Sequence, residues 1–484
     1  MNEDKNMNEE DKNKELYEDQ TFHPSIDFKD GIFLLGFRVK TLKKEKNVFL
    51  IALPKKFQLI ENADSFETDG KKYYLDLNSR VLGKVSRAWS YDELKNLFSN
   101  SNSDLYNVNS LKIFNKILDC LKEHVEFENE ADYILSTAWI IGTYLFPIFS
   151  SYPYLHIKAP KGSGKSETLK FLKLTTFNAV KARASLPAFR DTADSLRGTF
   201  LIDQADALHR RYMEEMLDIL TDSYKKGGGD TRIKDKGKDG RWTLMEFQTY
   251  CPKGFASIHP LPEDLRDRCI VIPLTKSDRN LKYLDEEEKI WKEIRSDLYK
   301  LAISDFNSFY VNYEIKKIEY RNNNSVIGRK LELWLPLEVI LQGVGVSTEK
   351  KTEAKERLLS QYNISEFQAS ELEIAVIENV HEEVKPVGEI ILSPKHIAEN
   401  LDSNLFEDFP SLKQKSAEVG KIIKKFNLQT KKLSRDRSGE RYLFHLEKVV
   451  KVANSYLGLD TEQRDTSHTQ IYTDENNEPT QGSF

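Results

Sequence analysis

The chain has 484 residues, 39% of them hydrophobic, with a formal net charge of −5. That length and apolar content exclude a wholly disordered chain and lead us to expect roughly three or four packed domains. The three cysteines, Cys120, Cys251 and Cys269, are scattered without a C-x-x-C pair, which excludes a disulfide framework or zinc site and fits a reducing, cytoplasmic setting.

The charge is unevenly distributed. Residues 1–30 hold ten acidic and four basic side chains, residues 460–484 hold six and one, and the stretch between carries +6. Both ends, 1–27 and 459–484, read as acidic disordered tails. The charged start lacks the apolar core of a signal peptide. A mildly basic interior permits a nucleic-acid partner.

Residues 28–102 read as a small β-rich accessory domain. Strands are predicted over 31–37, 47–51 and 72–75, with a turn at Asp69-Gly70 before the last. A helical adapter follows over 103–150. Leu111, Phe114, Leu118, Leu121 and Val125 recur at helical spacing. Tyr133 to Phe149 is uncharged and apolar, but it contains Gly142 and Pro147 and is shorter than the roughly 20 residues of a membrane span. A buried core helix is expected, and no membrane partner.

A nucleotide-binding core is expected over 151–275. The apolar run Tyr154-Leu155-His156-Ile157 leads into Ala159-Pro160-Lys161-Gly162-Ser163-Gly164-Lys165-Ser166, and Leu169 and Leu172 then share a helix face. Strand, glycine-rich loop and helix in that order make a phosphate cradle. Lys161, Gly162, Ser163, Gly164 and Glu167 would line it, Lys165 would reach the β/γ-phosphates, and the Ser166 hydroxyl would bind Mg²⁺. Ala159 replaces the usual first glycine; G-S-G-K-S is intact. About forty residues on, Phe200-Leu201-Ile202-Asp203 is an apolar strand ending in an acid that would help hold Mg²⁺, so ATP and Mg²⁺ are the expected ligands. The next residue, where such ATPases usually carry Glu, is Gln204. An amide can orient a water but cannot take its proton. Asp206 and Glu167 are the nearest carboxylates in sequence that could substitute.

Downstream, the strand Gly254 to Ile258 is followed by Leu261-Pro262-Glu263-Asp264-Leu265-Arg266-Asp267-Arg268-Cys269. Here the chain resembles the AAA+ superfamily, and Arg268-Cys269 resembles the S-R-C segment of clamp-loader subunits. The resemblance implies that Arg268 is an arginine finger for a neighbour's ATP, with Arg266 as the alternative. Ser257 falls near the sensor-1 position. In the expected helical lid, 276–380, Ile290, Ile294, Leu298 and Leu301 share a face, and Gly328-Arg329 opens a helix where AAA+ proteins place a sensor-2 arginine. Arg329 would touch the phosphates from there.

Two basic regions could meet DNA. Thr231 to Trp242 reads as a hairpin turning at Asp239-Gly240, with Lys234, Lys236, Lys238 and Arg241 as phosphate contacts. Residues 381–458 read as a winged-helix domain: a helix capped by Ser393 before Pro394, a second from Ser411 to Phe426, then strands around Ser438-Gly439. Residues 410–445 hold ten Lys/Arg against three Asp/Glu, and Lys421, Lys424, Lys425, Arg435 and Arg437 are the expected contacts.

The fold class is therefore α/β: a P-loop AAA+ core with a helical lid, a β-rich domain before it and a winged helix after it. Together with Tyr152-Pro153 before the loop and Gly328-Arg329-x-x-Glu332-x-Trp334 after it, the arrangement over about residues 105–445 resembles helicase-like replication proteins of phages and mobile elements. These include minichromosome-maintenance-like, superfamily 3 and cassette-chromosome helicases. The resemblance implies an ATP-dependent DNA helicase or translocase, a homo-hexameric ring, single-stranded DNA in the channel and duplex at the winged helix. The alternative is an ATP-binding replication initiator or regulator with weak or no hydrolysis. A small-molecule kinase fits poorly, since it needs no arginine from a neighbour.

Overall fold

The apolar run from Ile32 to Phe37 does not alternate with polar residues because its strand is covered on both faces. The computed structural model describes residues 20–457 apart from 42–43, 55, 78–85, 100–107, 161, 182–184, 211–212, 237–241, 275–279, 324–325, 367–370, 407–408 and 437–438. It opens with β1 (Thr21–Phe22), β2 (Ile26–Lys29), β3 (Ile32–Lys40), β4 (Glu45–Leu53), β5 (Lys56–Glu61), β6 (Ser65–Thr68) and β7 (Lys71–Leu75). These make a four-stranded antiparallel sheet, β2-β3-β4-β5, and a three-stranded sheet, β1-β7-β6. Leu34, Phe49 and Ile51 pack with Phe22, Phe66 and Tyr73 of the smaller sheet. On the opposite face, Phe33 stacks on Phe306 at 5.5 Å between ring centroids, and Phe37 meets Tyr299 at 5.1 Å.

The strand region is not free-standing. The chain divides into two compact units, residues 1–359 and 360–484, and all seven strands belong to the first. The expected tail over 1–27 also ends sooner, since Phe22, Ile26 and Asp27 are buried. Asp27 pairs with Arg197 at 3.1 Å. Burial pushes its carboxyl up, but Arg197, the His23 N–H and Lys226 outweigh this and hold it below the usual range.

Helices α1 (Tyr91–Ser99), α2 (Ser110–His124) and α3 (Glu130–Gly142) follow. Every residue of α3 from Ala131 to Gly142 is buried, as an all-round apolar helix requires. A Cβ at Gly142 would collide with the Tyr152 hydroxyl and Ile340, so only glycine fits there. Among the described residues no helix is long and apolar enough to cross a membrane.

The central layer then runs β8 (Tyr154–Lys158), α4 (Lys165–Thr175), β9 (Val180–Lys181), α5 (Leu186–Leu196), β10 (Phe200–Asp203), α6 (Glu214–Asp222), β11 (Gly229–Lys236), β12 (Trp242–Gln248), β13 (Lys253–Ser257), α7 (Glu263–Arg266) and β14 (Cys269–Pro273). Five of the strands form a parallel sheet in the order β14-β8-β13-β10-β9. β11 and β12 pair with each other as a separate antiparallel hairpin. Helices α8 (Lys289–Asn323), α9 (Gly328–Gly343) and α10 (Thr348–Glu366) come next, and α10 runs across the boundary between the units.

The second unit holds α11 (Glu371–Val384), β15 (Glu389–Leu392), α12 (Pro394–Asn400), α13 (Leu412–Lys425), β16 (Lys431–Asp436), β17 (Gly439–His445) and α14 (Leu446–Leu457). Its sheet order is β15-β17-β16, antiparallel throughout. Ser393 caps α12, and Ser411 with Gln414 forms a capping box on α13. The expected lid boundary at 380 moves. Val376, Ile377, Val380 and Val384 of α11 pack with Ile397, Val419, Ile423 and Phe444, so this apolar helix face completes the core of the second unit.

Candidate functional site

Parallel pairing sets the site. Asp203, Ala256 and Ile157 stand level across β10, β13 and β8, so the acid and the loop after β8 emerge at the same, C-terminal edge of the sheet. Crevices at that edge are the usual ligand sites of open α/β sheets. A cleft of about 1410 Å³ lies there, lined by Gly162, Gly164, Lys165, Ser166, Asp203 and Gln204 among others.

The loop has the backbone a phosphate cradle needs. Gly162 and Gly164 have φ of 85° and 81°, a region open to glycine at little cost. Ala159 is not among the positive-φ residues, so a side chain is tolerated where the usual motif has its first glycine. Ser163 Oγ donates to the Pro160 carbonyl at 2.7 Å, and Lys165 Nζ donates to the Ala159 carbonyl at 3.4 Å. Ser166 and Glu167 occupy the first turn of α4 and line the cleft. Lys161 lies outside the described residues.

Gln204 is held in the left-handed region, at φ 56° and ψ 46°, which is uncommon for a residue with a side chain. Its N–H turns back onto Asp203 Oδ1 at 2.9 Å. Asp206 also lines the cleft, but its carboxylate accepts the N–H groups of Ile258 at 3.1 Å and His259 at 2.8 Å. Burial raises its pKa, yet those two donors and nearby Lys165 prevail and hold it below the usual value. Ser257 does not line the cleft. Its buried hydroxyl donates to the His259 carbonyl at 2.6 Å and lies 2.6 Å from His156 Nε2. Burial, then Lys158, pushes the His156 pKa down to about 3, so the ring stays neutral and donates to Ser257. The sensor-1 expectation is thus corrected: Ser257 is turned inward because a buried neutral histidine needs its oxygen.

Arg268 and Arg329 are at the other edge. Cys269 pairs with Tyr154, the first residue of β8, so Arg268 sits roughly 20 Å along the strand from the glycine-rich loop. Its Nη1 donates to the Asp264 carbonyl. Arg329 Nε donates to Asp267 at 3.1 Å, its Nη1 to Glu332 at 2.5 Å, and its guanidinium lies 4.7 Å from the Tyr224 ring centre. Burial lowers its pKa, but Tyr224, Glu332 and Asp267 outweigh this and raise it. Arg329 therefore does not line the cleft, because Asp267 and Glu332 hold it at the start of β14.

Lys181 was missed by sequence reasoning. It lies 3.0 Å from Asp203 Oδ2, and no local signal marks it, since only the β9–β10 pairing brings the two together.

No protein-family model matches the chain, and no curated protein does. Solved structures do. The C-terminal region of NrS-1, in its A-form apo structure, is 12% identical over 85% of this chain and 96% of that one, with a TM-score of 0.32. The SCCmec type IV Cch helicase is 9% identical over 87% and 94%, at 0.33. The Aeropyrum pernix ORC1 protein in complex with DNA is 12% identical over 70% and 96%, at 0.20. Helicases and ORC proteins are thus among the structural neighbours.

Of the expected DNA contacts, Lys234 and Lys236 fall on β11 of the hairpin, while Lys238 and Arg241 lie outside the described residues. In the second unit Lys421 and Lys424 are exposed on one face of α13, opposite buried Val419, Ile422 and Ile423. Lys421 pairs with Glu418 at 2.8 Å. Lys425 ends α13, Arg435 is on β16, and Arg437 lies outside the described residues.

Proposed function

We propose that the chain is an AAA+ ATPase that couples ATP binding and hydrolysis to movement on DNA, as a helicase or translocase in the replication of a phage or mobile genetic element. The carrying observation is the shared cleft, in which Lys165 and Ser166 face Asp203 and Gln204. Loop N–H groups and Lys165 bind the phosphates. The Ser166 hydroxyl and Asp203 carboxylate are hard oxygen donors that suit Mg²⁺ alongside phosphate oxygens. When bound, that ion supplies charge neutralisation at the β- and γ-phosphates. Gln204 orients the attacking water.

Arg268 acts on a neighbouring subunit. Its distance from its own loop supports this, and with it a homo-hexameric ring. Arg329 belongs to the same edge and serves the same interface. The β11–β12 hairpin grips single-stranded DNA in the channel through Lys234, Lys236, Lys238 and Arg241. The second unit, read as a winged helix, meets duplex through Lys421, Lys424, Lys425, Arg435 and Arg437.

The test is ATP turnover by the full chain with and without single-stranded DNA, together with light scattering with and without nucleotide. DNA-stimulated turnover that Lys165→Ala abolishes supports the motor. A second reading, an initiator or regulator that uses ATP to assemble, is favoured by Gln204 and by the commitment of Asp206 to Ile258 and His259. Nucleotide-dependent rings with negligible turnover would select it.

A further inference from the structure

The acid expected to hold a divalent cation already carries a cation of the chain itself. Lys181 Nζ lies 3.0 Å from Asp203 Oδ2, and the other oxygen accepts the Gln204 N–H at 2.9 Å. The contact is built into the sheet. Lys181 ends β9 level with Leu201, two residues short of Asp203, and a lysine stem spans that interval. The two side chains are 33% and 21% exposed; Asp203 lines the cleft and Lys181 meets it from β9, so the paired oxygen is within reach of an incoming ion.

We infer that Lys181 is a built-in competitor for the metal position, a regulation of the site that rests on the ATP reading. Without nucleotide its ammonium neutralises Asp203, which lines the cleft with Glu167, Asp206 and Glu215. A free divalent ion must displace Nζ to reach Oδ2. One arriving with triphosphate oxygens brings ligands of its own, and the displaced ammonium can turn to the phosphates or to water. Metal and nucleotide are therefore taken up together, and the nucleotide-free site stays metal-poor.

The experiment titrates Mg²⁺ against binding of a fluorescent methylanthraniloyl-ATP to the full chain, and Mn²⁺ against its own paramagnetic resonance signal without nucleotide. Lys181→Met is expected to lower the half-saturating concentration of both ions about fivefold, the upper value for breaking a half-exposed ion pair. Lys181→Arg is expected to match the wild type. An unchanged or raised metal requirement in Lys181→Met overturns the inference. So does loss of nucleotide binding at every Mg²⁺ level, which would make Lys181 a phosphate ligand. Failure of the wild type to bind the nucleotide would instead sink the ATP reading, and the Mn²⁺ titration would still test Lys181 alone. Circular dichroism checks folding, with Lys181→Gln in reserve.

Discussion

Arg329 Nε lies 3.1 Å from the Asp267 carboxylate, and Asp267 immediately precedes Arg268. The pair fastens the start of α9 to the start of β14, the sheet edge opposite the phosphate loop. Arg268 and Arg329 thus both lie at this far edge, and neither lines the cleft.

A neighbour-acting arginine has a definite signature. Arg268→Ala is expected to cut hydrolysis by about 10³-fold while leaving nucleotide affinity nearly unchanged. Mixing it with Lys165→Ala chains should restore part of the activity, because an intact cleft then meets an intact arginine. No recovery in mixed samples, measured as turnover against mixing ratio, would rule out action between subunits.

In the proposed function Gln204 takes the position of a base, and an amide cannot be one. Gln204→Glu is expected to raise single-turnover hydrolysis by about 10²-fold, the lower range for a positioned general base. Rapid wild-type turnover with no gain in the variant would show that orienting the water suffices.

Asp206 ties the turn after β10 to the turn after β13 through two N–H groups. Asp206→Ala leaves those donors to water and is expected to cost about 1 kcal/mol, since the site is partly exposed. Hydrolysis should fall more than nucleotide affinity, because the turn carrying Gln204 loses its tie to the turn after β13. Thermal melting with paired binding and turnover assays separates the two effects.

Asp132, at the start of α3, pairs with Arg357 at 2.9 Å and is almost fully buried. Burial pushes its pKa up to about 6, against a smaller pull down from Arg357. Folding therefore favours the protonated form. The stability this adds is complete below about pH 4 and is lost as the pH rises through about 6. Asp132→Asn keeps a neutral side chain throughout, so its stability relative to wild type should be higher at pH 7 than at pH 4. Chemical denaturation at the two values checks the sign.

Much of the site was legible along the chain. A strand, glycine-rich loop and helix form a continuous backbone device, so Gly162, Gly164, Lys165 and Ser166 announce that part of the cleft by order and spacing, and Asp203 follows because a strand ending in an acid is also a local pattern. The cap at Ser393 was readable for the same reason: a helix start is satisfied by its own neighbours. The hairpin strands and the apolar helix after residue 130 were equally local.

Contacts that close across the sheet were not readable in this way. Nothing in Val180-Lys181 marks a partner for Asp203, and Ser257 gives no sign that His156, a hundred residues earlier, takes its hydroxyl. The sequence around Arg329 reads as a lid helix start, and it is Asp267 and Glu332 that hold the guanidinium at the far edge. The helix ahead of Val384 reads as lid by its place in the chain, and its apolar face belongs to the core of the second unit. Periodicity and motif record what a segment needs from its own neighbours. Which distant strand or carboxylate meets that need depends on sheet order and burial, and those are fixed only when the whole chain packs.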